Sequence, residues 1–235
     1  MPDTLAEGEV AAAGWLRPSE YTAALINVLR GRAAWVRGAD VLETGSGSGV
    51  VLAALGALGA ASLCGIDIEH DAVVSGELLL RQLGHGGNSR LHRGDLWAPV
   101  AGRRFDLVAA NLPHFPMPPA GFPGRLPSWS CGGPDGRALL DPFLQGLPAH
   151  LTPGGRAVIT HNGFVDLDRS RAAVERGGLE LRVADTVLIY LTPDKLGLMT
   201  PEVLDREDGR AIHRYGPYTF AELHLIEIGG AGAFG

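Results

Sequence analysis

Between Asp40 and Gly49 the chain reads Asp-Val-Leu-Glu-Thr-Gly-Ser-Gly-Ser-Gly, an apolar run that breaks into a loop of small residues. Glycines at 45, 47 and 49 suit a backbone that must turn tightly or lie close against a large neighbour. A buried strand ending in such a loop is the opening unit of an open α/β sheet, whose ligand crevice lies beyond the C-terminal ends of the strands. Further apolar runs continue the pattern: strand-like segments near 40–44, 62–67, 89–93, 105–110, 156–160, 182–191 and 219–228 alternate with helix-like segments near 19–36, 48–58, 70–83, 136–150 and 166–177. This predicts a doubly wound, Rossmann-like α/β fold with a seven-stranded, mostly parallel sheet. The long final connection, lacking a good helix pattern, predicts an antiparallel last strand. At 235 residues and 46% hydrophobic content the chain fits one such core better than two.

The glycine spacing also bears on the ligand. A dinucleotide loop is Gly-x-Gly-x-x-Gly and receives a pyrophosphate on backbone N–H groups. Here the third glycine comes one residue early, and Glu43 stands two positions before the first. A carboxylate there repels a pyrophosphate but suits a ligand carrying an ammonium and a sulfonium, which points to S-adenosylmethionine as the cofactor. About 20 residues further on, the run Ser62 to Asp67 ends in an acid where an α/β nucleotide site wants a carboxylate for ribose hydroxyls, so Asp67, followed by Ile68, is the ribose candidate. A third run ends in Asp95-Leu96.

The Glu-x-Gly-x-Gly-x-Gly stretch resembles the first motif of the class I S-adenosylmethionine-dependent methyltransferases. By that resemblance Glu43, Gly45, Ser46 and Gly47 would seat the methionine moiety, and Asp95 with Leu96 the adenine. The fourth strand runs into Asn111-Leu112-Pro113-His114-Phe115, which resembles the Asn-Pro-Pro-Tyr motif of methyltransferases acting on planar nitrogens. The resemblance implies that Asn111, beside the cofactor, and the carbonyl of Leu112 accept the two N–H bonds of the target group. Two acceptors reduce delocalisation of the nitrogen lone pair and aim it at the methyl carbon, so that positioning and electrostatics carry the catalysis.

Two positions depart from that motif. Leu112 replaces a proline, and His114 replaces the aromatic residue that would stack on the target. His114 can titrate near neutrality and take a proton from the acceptor, or be a loop histidine bonded to backbone. Phe115 then becomes the stacking surface, with Pro113 and Trp129 as further acceptor contacts. Arg17-Pro-Ser-Glu20 and Gly132-Gly-Pro-Asp-Gly136 resemble segments of the HemK/PrmC-type protein-glutamine methyltransferases. The similarity covers about residues 15 to 165.

That type carries a helical recognition domain ahead of its catalytic fold. Residues 1–38 are read instead as a short helical lead-in, with 39–235 as the catalytic domain. On that ground the expected acceptor is an amine or amide nitrogen of a small molecule, with a protein glutamine or a nucleic-acid base as the alternative. A nicotinamide-dependent oxidoreductase and a non-catalytic cofactor-binding protein stand further off. A net charge of -6 and a single lysine, Lys195, argue against nucleic acid. No apolar run of about 18 residues and no secretory pattern is read, so a cytoplasmic protein without a membrane span is expected. Cys64 and Cys131 and the scattered histidines give no metal-ligand spacing, so no metal is expected. Two proline- and glycine-punctuated stretches, near 113–134 and 192–218, are expected to be pocket loops, the second a lid or a homodimer contact.

Overall fold

The structure is a computed structural model that describes residues 18–118 and 129–234. Eight strands form one sheet: β1 (Asp40–Thr44), β2 (Ser62–Asp67), β3 (Ser89–Arg93), β4 (Phe105–Ala110), β5 (Leu151–Asn162), β6 (Glu180–Leu191), β7 (Ile212–Tyr215) and β8 (Tyr218–Gly229). Their order is β3-β2-β1-β4-β5-β8-β6, with β7 paired to β8. The first five strands run parallel, and β8 lies antiparallel between β5 and β6. The expected fold class is therefore present, with one more strand than the seven expected.

Burial explains why the parallel strands read as continuous apolar runs. Val41, Leu63, Leu107, Ala109 and Val158 face one side of the sheet, against Leu25 and Leu29 of α1 (Glu20–Gly31), Val36 of α2 (Ala33–Val36), Leu52 and Leu55 of α3 (Val50–Ala57), and Leu80 of α4 (His70–Gln82). Leu42, Cys64, Val108, Ala110 and Ile159 face the other, against Phe143, Leu144 and Leu147 of α5 (Leu140–His150) and Val174 of α6 (Leu167–Arg176). Both faces are covered, as a doubly wound sheet requires. Helix α1 is thus part of the sheet's own core. Arg32 at its end also pairs with the buried Glu227 of β8 at 2.7 Å.

The stretch expected as a second pocket loop is mostly regular structure. Residues 192–218 form α7 (Pro193–Leu198), α8 (Pro201–Glu207) and the strand β7, which turns at Gly216 into β8. Thr192 caps α7 by accepting from the Lys195 N–H, and each helix begins with proline at its first position, where no N–H is needed. These helices are six and seven residues long, too short for a sequence periodicity to declare them. Met199 and Val203 anchor them in the core.

Candidate active site

The ends of the five parallel strands each deliver a piece of one cavity of about 610 Å³. At the end of β1 the chain turns back on itself: the amides of Gly45 and Ser46 both donate to the Ile66 carbonyl, at 2.8 and 3.0 Å. Gly45, Gly47 and Gly49 all have positive φ, at 69°, 49° and 77°. At Gly49 close packing adds a second requirement, because a Cβ there would sit 2.8 Å from the Cα of Gly76 in α4. The loop is thereby pressed onto α4 and its concave side faces the cavity.

Asp67 ties this loop to the end of β2. Its carboxylate accepts from the Gly47 amide at 2.8 Å and from the Glu69 amide at 2.9 Å, and it is 7% exposed. Glu43 is buried, one of its carboxylate oxygens has no hydrogen-bond partner, and burial pushes its carboxyl well above the usual range, with the nearby Asp67 adding to the effect. The hydroxyl of Ser46 is likewise buried and unpartnered. Buried polar atoms without partners beside a cavity mark places where a ligand can bond. Ile68, Asp95 and Leu96 continue the same wall, Ile68 largely exposed and Leu96 held at φ 41°, a conformation that a non-glycine residue rarely adopts. This donor set fits S-adenosylmethionine: a carboxylate facing an ammonium, an acid at the second strand end, and apolar side chains flanking a ring.

At the end of β4, Asn111 accepts a hydrogen bond on Oδ1 from the Thr160 hydroxyl of β5, at 2.7 Å. Leu112 is buried and leans on the glycine loop, its Cδ2 lying 3.2 Å from where a Gly45 Cβ would be. The next turn is held from below by Gly132 and Gly136. A Cβ on Gly132 would meet the Cα of His114 at 2.6 Å, and one on Gly136 its carbonyl oxygen at 2.7 Å. This close approach is the use of the Gly-Gly-Pro-Asp-Gly segment. The loop between is zipped at its described ends, Phe115 bonding Ser130 and Gly132, and Met117 bonding Gly133. Phe122 and residues 119–128 lie outside the described residues, as does Arg17.

His114 is buried beside the Leu112 carbonyl, an environment that favours the neutral ring. It is 4% exposed, and burial lowers its imidazole to about 4, against the opposing effect of its bond to the Leu112 carbonyl. Phe115 reaches the cavity but packs edge-on against Phe164, with ring centroids 5.7 Å apart, so much of its surface belongs to the core. Pro113 and Trp129 also line the cavity.

The structure also brings in residues that the motifs do not mark. Tyr21 of α1 and Asp194, Lys195 and Leu198 of α7 line the cavity, beside Pro18 and Ser19 of the Pro-Ser-Glu segment already singled out. The Tyr21 hydroxyl donates to Asn162 at 2.9 Å, and the Lys195 ammonium stands 5.7 Å from the Tyr21 ring centre. The one available signal for part of this was in β5, whose apolar run ends in Thr160-His161-Asn162, three polar residues at most 2% exposed. Among the described residues no cluster of three potential metal ligands occurs, and no helix is long and apolar enough to cross a membrane.

No family model matches the chain. By sequence it is 33% identical over 150 residues to the ribosomal protein uL3 glutamine methyltransferase of Bradyrhizobium diazoefficiens, covering 60% of this chain and 43% of that protein. It is 28% identical over 148 residues to the release factor glutamine methyltransferase of Gloeobacter violaceus, covering 60% and 51%. The chain spans about half the length of the curated relatives it matches. In fold it matches the Mtq2–Trm112 complex of E. cuniculi, responsible for methylating the termination factor eRF1, with TM-score 0.57 over 92% of this chain and 99% of that one at 18% identity. It matches the YcgJ protein of Bacillus subtilis with TM-score 0.63, over 88% and 98%, at 13% identity.

These relatives overturn one expectation. The small-molecule acceptor was inferred from the shortness of the segment before β1, yet the named relatives methylate glutamine in proteins. Over about 60% of its length the chain is similar in sequence to HemK/PrmC-like glutamine N-methyltransferases, and its fold is that of the class I S-adenosylmethionine-dependent methyltransferases.

Proposed function

We propose that the chain is an S-adenosylmethionine-dependent N-methyltransferase whose acceptor is the side-chain amide of a glutamine in a protein. The cofactor supplies an electrophilic methyl group on a sulfonium. In this reading Glu43 faces the ammonium of its methionine moiety, with Gly45, Ser46 and Gly47 along the backbone, while Asp67 takes the ribose hydroxyls. Ile68, Asp95 and Leu96 enclose the adenine. Asn111 holds the acceptor nitrogen in line with the methyl group through its side-chain oxygen, and Pro113, Phe115 and Trp129 bound the acceptor.

The observation that supports this most strongly is the Asn111 side chain, tethered by Thr160 and lining the same cavity as Glu43 with its unpartnered oxygen. An amide nitrogen is a poor nucleophile because its lone pair is delocalised, so a site for it needs a preset acceptor rather than a strong base. A protein of the translation apparatus as acceptor would also place the chain in the cytoplasm.

The test is transfer of a tritiated methyl group from S-adenosylmethionine to purified uL3 and to a purified release factor, followed by hydrolysis and identification of N5-methylglutamine. Label on glutamine that disappears with Asn111→Ala supports the reading. Label on another residue type, or none on either protein while the chain binds S-adenosylhomocysteine, rejects the acceptor.

A further inference from the structure

We infer that His114 is a catalytic residue of this reaction: its Nε2 accepts the second N–H of the acceptor amide, in the place that the motif gives to the Leu112 carbonyl, and receives the proton that the nitrogen loses. This rests on the glutamine reading above and adds a residue to it.

The argument begins at the Leu112 carbonyl. Its oxygen is in a 2.5 Å contact with Nδ1 of His114. A carbonyl oxygen can only accept, so Nδ1 must carry the hydrogen, and a neutral imidazole then has its lone pair on Nε2. Neutrality follows from the environment, since the ring is buried and its affinity for a proton is lowered. Nε2 is itself buried and has no hydrogen-bond partner. A buried acceptor without a partner is costly, and such groups are retained where a ligand completes them. His114 lines the same cavity as Asn111 and Leu112.

Three surroundings hold the ring there. Gly132 and Gly136 pack against its backbone, Asn162 donates to its carbonyl at 3.4 Å, and Tyr21 and His161 stand at 6.2 and 6.3 Å between ring centres. The substitution of histidine for the motif's aromatic residue thus moves one acceptor function two residues along the chain. The carbonyl polarises the ring through Nδ1–H and leaves the ring's lone pair on the unpartnered Nε2.

The proton balance is simple. When the amide nitrogen gains its bond to the methyl carbon and the carbon–sulfur bond breaks, the nitrogen carries a positive charge and one proton too many. That proton passes to Nε2, the imidazolium charge is stabilised by the Leu112 carbonyl, and the proton leaves to solvent with the product. An N-protonated amide is a far stronger acid than any imidazolium, so even a weakened base takes its proton.

The experiment is nitrogen-15 NMR of the histidine side chains, with His114 assigned by its absence in His114→Gln. S-adenosylhomocysteine is saturating and N-acetylglutamine amide is the titrant. Expected is the Nδ1–H tautomer before titration, and an Nε2 resonance that moves toward the hydrogen-bonded range as the amide is added. Binding weakens roughly 3- to 10-fold in His114→Phe, the loss of one hydrogen bond, and recovers in part in His114→Gln, whose oxygen replaces Nε2. The opposite tautomer overturns the inference. So does an Nε2 resonance that stays fixed while the Asn111 side-chain amide shifts, an outcome that leaves the glutamine reading standing. If neither resonance moves, both fail together.

Discussion

The hydroxyl of Thr160 donates to Oδ1 of Asn111 across 2.7 Å, tying the C-terminal part of β5 to the residue that follows β4 and lines the cavity. An asparagine amide on its own can rotate or flip. With one lone pair bound to Thr160, its oxygen is held in place and keeps a second lone pair for a further donor.

Thr160→Val keeps shape and removes only that donor. Losing about 1 to 2 kcal/mol of positioning should lower kcat roughly 5- to 30-fold. Affinity for S-adenosylhomocysteine should be unchanged, because the loop that would seat it is untouched. Steady-state kinetics beside calorimetric titration would check this, and an unchanged kcat would mean the tether is only structural.

Asp67→Ala should affect binding instead. Its carboxylate satisfies the Gly47 and Glu69 amides and, on the proposed reading, the ribose. Loss of charge-assisted bonds of about 1.5 to 3 kcal/mol predicts a Kd for S-adenosylhomocysteine raised roughly 10- to 100-fold.

Glu43 holds its proton to higher pH than an ordinary glutamate, first because it is buried and also because Asp67 is close. An arriving ammonium group favours the carboxylate, so binding of S-adenosylmethionine should expel a proton. Calorimetry in two buffers of different ionisation enthalpy would detect it. Glu43→Gln should abolish the buffer dependence and weaken binding about tenfold; a buffer dependence that survives the substitution would assign the proton elsewhere.

His114, His161 and His224 all have lowered affinity for a proton, chiefly through burial. Their folded values lie below the unfolded ones, so the stability they contribute is present above about pH 6.5 and is lost as pH falls through the folded values. For His114, lowered from 6.5 to about 4, the loss approaches roughly 3 kcal/mol at the acid end. Urea unfolding as a function of pH should show this decline below neutrality. It should be shallower in His114→Gln, and an unchanged slope would contradict the assignment.

Gly49→Ala should destabilise by about 2 kcal/mol or more, because alanine there meets both a left-handed backbone and the Cα of Gly76. Thermal or urea denaturation would measure it. A loss near zero would show that α4 can yield.

The first four strands match the expected spans residue for residue: β1, β2 and β4 are buried along nearly their whole length and so read as apolar runs, while the edge strand β3 buries only Ser89 and Leu91 in alternation. Helices α3 and α5 begin later than expected, at Val50 and Leu140, where glycine and turn geometry delay the first helical residue. The stretch 192–218 reads as a loop in the sequence because its two helices, each of less than two full turns, are too short to show a periodicity.

By itself the sequence determined the sheet, its glycine loop, the acids at successive strand ends and the Asn-x-Pro turn, since each is a local pattern of spacing and residue type. The tertiary structure decided what those residues can do. Thr160 lies 49 residues from Asn111, and only strand pairing brings them together. Whether His114 is charged depends on burial beneath segments far along the chain, and desolvation is a property of the packed neighbourhood that no short spacing encodes.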